Sequence, residues 1–251
     1  MRIRLAAVVL FSALLISGRA YAQVPPETTH GELTANFWTP TPELSLEGVE
    51  FVDRLGIENK RFVEYRALLK PGRKHKLRFS YVQVKYDELG KVIDTTFVFR
   101  GRTYNVNLPV NYEFKWDLYR FGYEWDFLTF DRGFVGVIAE LKYNKVTATV
   151  VSPVGGTATE DVKAPIPTIG GIARGYLGDY VSVTGEFTGL KITRDDFRGR
   201  FYDFDIYAQV NLNKYLAAQV GYRAVDVDYL VVSSTGTFTL KGPYFGGVVR
   251  F

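Results

Sequence analysis

The chain has 251 residues, 47% hydrophobic and 23% charged, a balance that excludes both a disordered polymer and a bundle of transmembrane helices. It holds no cysteine and only two histidines, which removes disulfides, thiolate metal sites and cysteine nucleophiles and leaves little for imidazole chemistry. The formal charge of +4 is not a nucleic-acid signature, because most of the excess sits at the start of the chain.

Residues 1–22 read as a secretory signal. Arg2 and Arg4 precede an apolar run from Leu5 to Ile16, and Ala20-Tyr21-Ala22 supplies the small-residue cleavage site. The apolar run is shorter than the roughly 20 residues that span a bilayer as a helix. Arg2, Arg4 and Arg19 all belong to this leader, so the remainder, residues 23–251, is close to neutral.

From there the chain alternates. Leu33, Ala35 and Phe37 oppose Glu32, Thr34 and Asn36, and Val63, Tyr65, Ala67 and Leu69 oppose Glu64 and Arg66. Such a period of two marks a strand with one apolar and one polar face. In 110–127 the apolar set changes phase: Val110, Tyr112, Phe114, Trp116 and Leu118 give way to Tyr119, Phe121, Tyr123, Trp125 and Phe127. A β-bulge produces such a switch, and so does a strand whose upper part leaves a membrane. Val135, Val137, Ala139, Leu141 and Tyr143 oppose Gly136, Glu140 and Lys142, and further alternation follows at 181–188, 202–212 and 216–224.

The pattern predicts ten strands, at 31–38, 61–70, 75–87, 108–127, 134–150, 166–177, 180–192, 200–212, 215–228 and 238–251. Connectors alternate between short (71–74, 128–133, 178–179, 213–214) and long (39–60, 88–107, 151–165, 193–199, 229–237). The run from Thr95 to Phe99 adds an extra hairpin inside one long connector. Short turns at one end, long loops at the other and an even count define an all-β fold, a transmembrane antiparallel up-and-down β-barrel. Ten strands is the expectation, eight if the outermost segments are loops. Charged polar faces and aromatics near strand ends, such as Phe37, Tyr81, Tyr176 and Tyr215, favour this over a soluble sandwich.

Phe245, Val249 and Phe251 share one face of the last strand. This ending resembles the C-terminal signature of bacterial outer-membrane proteins, although Gly247 stands where that signature has a larger apolar residue. With the leader and the alternating connectors, the chain resembles the small Gram-negative outer-membrane β-barrels, OmpW-like or OmpX-like. The resemblance implies a monomer in the outer membrane. Its partners would be outer-membrane lipid and lipopolysaccharide, with the barrel assembly machinery acting through the C-terminal strand, and no nucleic acid.

Enzymes among such barrels generally use a histidine. His30 and His75 fall at the rim of the short turns, and Ser80 lies five residues from His75, about 16 Å along a strand, beyond reach of a general base. No catalytic residue and no cofactor is expected. Glu160-Asp161, Asp195-Asp196 and Asp226 with Asp228 lack the spacing of a calcium loop and read as solvated acids, so no metal is expected. Polar faces turned into the lumen are expected to carry Glu64, Arg66, Arg78, Glu113, Lys115, Asp117, Glu140, Lys142, Glu186, Asp203, Asp205 and Arg223. Charges in a narrow, partly dry interior must pair or cost several kcal/mol each. Asp205 and Arg223 flank the turn at 213–214 symmetrically, which sets them opposite one another. The expected role is non-enzymatic, structural or adhesive, with a closed lumen. The alternatives are a narrow channel for small or hydrophobic solutes and a lipid-modifying enzyme.

Overall fold

Alternation along the chain is realised as β-strands in a computed structural model that describes residues 29–46, 49–50, 59–92, 97–99, 102–104, 109–152, 156–194, 197–231 and 234–251. The expected leader, residues 1–22, and Asp195-Asp196 lie outside the described residues. In chain order the strands are β1 (Gly31–Trp38), β2 (Thr41–Leu46), β3 (Val49–Glu50), β4 (Phe62–Gly72), β5 (His75–Val92), β6 (Phe97–Phe99), β7 (Arg102–Tyr104), β8 (Pro109–Phe130), β9 (Gly133–Ser152), β10 (Gly156–Tyr176), β11 (Val181–Arg194), β12 (Phe197–Asn211), β13 (Leu216–Val231) and β14 (Ser234–Arg250).

Ten of them form one antiparallel barrel in the order β1-β4-β5-β8-β9-β10-β11-β12-β13-β14, and β14 closes it by pairing with β1. Each of the ten predicted strands has its counterpart. β2 continues β1 past Thr39-Pro40 along the same neighbour, with Thr41 opposite Lys241 and Leu46 opposite Gly236, and β3 folds back on it. The extra hairpin also forms, as β6 on β7, while Thr95 and Thr96 lie outside the described residues.

The loop assignments need correction. Residues 151–165, 193–199 and 229–237 were expected as loops, yet the described residues in these ranges are almost all strand. Their Thr and Val content suits a pleated sheet, while the exposed Thr157, Thr159, Asp161 and Lys163 give the first of these ranges the look of loop. β8 reaches 22 residues, about twice the 9–11 that cross a bilayer. The barrel wall therefore has two parts: a turn half carrying the short connectors and a loop half beyond it.

The phase switch in β8 marks their boundary. Pairing of β8 with β9 runs unbroken from Asn111 opposite Val151 to Trp125 opposite Val137, so no bulge sits at 118–119; the one irregularity lies lower, between Trp125 and Leu128. From Tyr112 to Asp126 the even-numbered residues face inward. In the turn half they are Arg120, Glu124 and Asp126, and in the loop half Tyr112, Phe114, Trp116 and Leu118, all buried. Outside, Phe121, Tyr123, Trp125 and Phe127 are exposed, and above them come Asp117, Lys115 and Glu113. The same inversion occurs on neighbouring strands, from Glu64 to Phe62, Ser80 to Val82, Asp203 to Phe201 and Arg223 to Val225. An apolar outside with a polar inside suits lipid, and the reverse suits water.

Tyr81, Tyr119 and Tyr143 are cross-strand neighbours at the upper rim of the apolar belt, with ring centroids 4.7 Å and 6.4 Å apart. At the opposite rim Phe251 closes the cylinder. Its carbonyl accepts from the amides of His30 (2.7 Å) and Gly31 (3.0 Å), and its own amide donates to Gly31 (3.1 Å). A Cβ on Gly31 would fall 2.6 Å from the Phe251 ring, so glycine is what lets the ring lie there.

Candidate functional site

Inside the turn half, the polar faces of the ten strands converge on a layer of ion pairs. Glu64 stands at its centre and accepts from Arg66 (2.7 Å), Arg120 (2.5 Å) and Arg223 (2.6 Å). Asp203 accepts from Arg223 (2.9 Å), Lys142 (2.7 Å) and Arg120 (3.3 Å). Asp205 takes Arg66 (2.7 Å) and the Tyr244 hydroxyl (2.8 Å). These pairs join β4, β8, β9, β12, β13 and β14 across the lumen, not merely along its wall.

Below this layer, Arg78 contacts Glu124 (2.5 Å), Glu186 and Glu140 (3.7 Å), and Tyr207 donates to Glu186 (3.2 Å). Nearer the turns, Lys76 lies between Glu124 (2.8 Å) and Asp126 (2.7 Å), and Lys70 pairs with Glu32 (2.5 Å). A cavity of about 60 Å³ beside Arg78, Arg120, Glu186 and Gln219 has room for a few waters.

Above the layer the interior is mostly apolar. Trp38, Phe62, Val82, Trp116, Leu118, Phe201, Val225 and Leu240 belong to one buried cluster. Phe238 bridges to it from β14, 5.0 Å from the Trp116 ring and 5.2 Å from Phe114. Cations stitch the two zones together: Arg223 lies 5.3 Å under Trp38, Lys142 4.9 Å from Phe201 and Arg66 5.4 Å from Tyr244. Contacts of this kind strengthen when they are dry.

Nine of the twelve expected lumen residues take part: Glu64, Arg66, Arg78, Glu140, Lys142, Glu186, Asp203, Asp205 and Arg223. Glu113, Lys115 and Asp117 do not. They lie on the outer face of the loop half, where Glu113 is 51% exposed and pairs with Lys85 (3.5 Å). Lys115 pairs with Asp117 (3.5 Å), which Tyr81 and Gln83 cover. The sequence pattern followed their face upward across the inversion. Arg120, Glu124 and Asp126 were missed for the same reason, although they alternate with Phe121, Tyr123, Trp125 and Phe127 and so occupy the opposite face. The expected pairing of Asp205 with Arg223 also needs correction. The two are opposite in register, but Arg223 reaches diagonally to Asp203 while Asp205 takes Arg66. Twist brings such diagonal neighbours within reach of a long side chain.

Phe245, Val249 and Phe251 share an exposed outward face of β14 and the residue after it. His75 stacks on Tyr123 with its Nδ1 2.5 Å from the hydroxyl, and His30 is exposed. Asp226 and Asp228 both meet Arg200, and no cluster of metal-binding side chains occurs among the described residues.

This closed ten-stranded cylinder has the fold of the Gram-negative outer-membrane β-barrels. The chain is similar to the outer-membrane protease OmpT of Escherichia coli, with a TM-score of 0.54 at 7% identity over 89% of this chain and 94% of that one. Looser likenesses join it to the attachment invasion locus protein Ail of Yersinia pestis (TM-score 0.42, 10% identity, 88% and 99% covered) and to the toluene transporter TodX of Pseudomonas putida (TM-score 0.39, 6% identity, 88% and 90% covered). No protein-family model and no curated protein sequence matches the chain.

Proposed function

We propose that the protein is a non-enzymatic outer-membrane barrel of a Gram-negative bacterium, sealed along its axis, that acts through its surface. The turn half lies in the lipid and the loop half stands outside the cell. The observation that carries this is the inversion: charges fill the interior where the outside is apolar, and an apolar cluster fills it where the outside is polar. The ion-pair layer blocks the axis, and the cluster around Trp116 and Phe238 caps it. A non-catalytic role is supported by His75, occupied by Tyr123 at the turn rim. The outward face of Phe245, Val249 and Phe251 suits recognition by the barrel assembly machinery, and the lysines above the apolar belt suit contact with lipopolysaccharide.

Planar-bilayer recording of the refolded protein tests the seal. No steady conductance is expected, and a large steady conductance in the unmodified protein overturns the reading.

A further inference from the structure

Adjacent strands of a barrel ordinarily pair along their shared length. β10 and β11 do not. They have 21 and 14 residues, yet pair only over Ile169–Tyr176 and Ser182–Gly189. Extending that register would set Thr168 opposite Leu190, Pro167 opposite Lys191 and Ile166 opposite Ile192, and none of these pairs forms.

Two prolines explain the gap. Pro165 and Pro167 have no N–H to donate, and being two residues apart they delete donors from the same edge. β10 keeps its register with β9 straight through both, Pro165 opposite Tyr143 and Pro167 opposite Leu141. The missing donors are therefore those that would have met β11, and a ladder without them stops.

Between Glu160 and Ile169, what faces the gap is mostly apolar. On the inward side of β10 are Thr168, Ile166 and Val162, and on that of β11 are Leu190 and Ile192. Ile166 packs against the interior cluster. Val162 and Ile192 keep 44% and 39% of their surface exposed, although Trp116 and Phe201 on the same inward face are buried. Thr168 is buried and its hydroxyl has no hydrogen-bond partner among the described residues. The base of the slot lies within the apolar belt, where Ile169 beside it is 70% exposed. Just above the belt, Lys145 and Lys163 stand directly opposite one another on β9 and β10, and Lys191 stands on the far side of the slot. None of the three forms an ion pair among the described residues. Like charges placed opposite each other repel, and Asp117, the carboxylate opposite Lys145 on β8, pairs with Lys115 instead.

We infer that this slot binds an acyl chain of a phosphate-bearing lipid from the surrounding outer leaflet. This rests on the membrane placement proposed above. The chain lies against Ile166, Leu190 and Ile192, reaching the interior cluster from the side while the axis stays sealed. Lys145, Lys163 and Lys191 hold the phosphate.

The protein has no native cysteine, so a single Ile192→Cys carries a bimane fluorophore at one place. The labelled protein is refolded into phosphatidylcholine vesicles doped with doxyl-labelled phosphatidylglycerol, doxyl-labelled phosphatidylcholine or doxyl-labelled stearate. Lysines beside an anionic lipid each add to its affinity, so phosphatidylglycerol should quench with about a tenfold preference over phosphatidylcholine. The triple Lys145→Gln, Lys163→Gln, Lys191→Gln variant should lose that preference. A bimane at Val220, which faces outward on β13, should be quenched equally by both phospholipids. Absence of quenching at Val220 overturns the membrane placement itself. Normal quenching there with no preference at Ile192, a preference that survives the triple substitution, or quenching by stearate alone each overturns the lipid site.

Discussion

The two halves of the wall are built from the same strands by opposite rules. In the turn half, Arg120 and Glu124 face in and Phe121 and Tyr123 face out; in the loop half, Trp116 and Phe114 face in and Lys115 and Glu113 face out. The backbone does not change between them, since β8 keeps one register with β9 across the boundary. What changes is the solvent that each face is built to meet. A half surrounded by hydrocarbon gains nothing from an apolar core and must satisfy its interior with hydrogen bonds and ion pairs. A half surrounded by water is held together by apolar burial, as a soluble domain is.

The comparison breaks most severely at Glu64. Glu64→Ala leaves Arg66, Arg120 and Arg223 converging on an empty place, and removing one member of a buried ion pair costs about 3–5 kcal/mol. Urea unfolding in vesicles, followed by the heat-modifiable gel shift, should show a loss of that order. An Arg223→Ala, Asp203→Ala cycle should show strong coupling, the double variant costing less than the sum of the singles.

A charge placed on each outer face sharpens the contrast. Phe121→Arg puts a cation in the apolar belt and should destabilise by about 2–4 kcal/mol. The smallest effect is expected at the Lys85 and Glu113 pair outside the loop half, where Glu113→Ala should change stability by less than about 1 kcal/mol, read from the same unfolding curves. Equal costs at these two positions would contradict the division of the wall.

Strand number, strand order and most of the charge layer were legible in the sequence, because period-two alternation reports which residues share a face. Alternation alone does not say which face is inside. Lys142, Asp203, Asp205 and Arg223 were placed correctly because the polar face is the inner one in the turn half. Glu113, Lys115 and Asp117 were misplaced because the rule reverses at Leu118 and Tyr119. The β10–β11 gap was not anticipated either: Pro165 was assigned to the end of a loop, where proline is unremarkable, and Pro167 to the second residue of a strand, where a missing donor is tolerated at the edge.

The inversion is tested most directly by a scan of spin labels along the outward positions of β8 in lipid vesicles, at residues 113, 115, 117, 119, 121, 123, 125 and 127. Accessibility to dissolved oxygen reports lipid, and accessibility to a water-soluble nickel chelate reports water. Labels at 121–127 should favour oxygen, those at 113–117 should favour nickel, and the crossover should fall at Tyr119. Nickel accessibility along the whole strand, or oxygen accessibility continuing up to residue 113, would contradict the account.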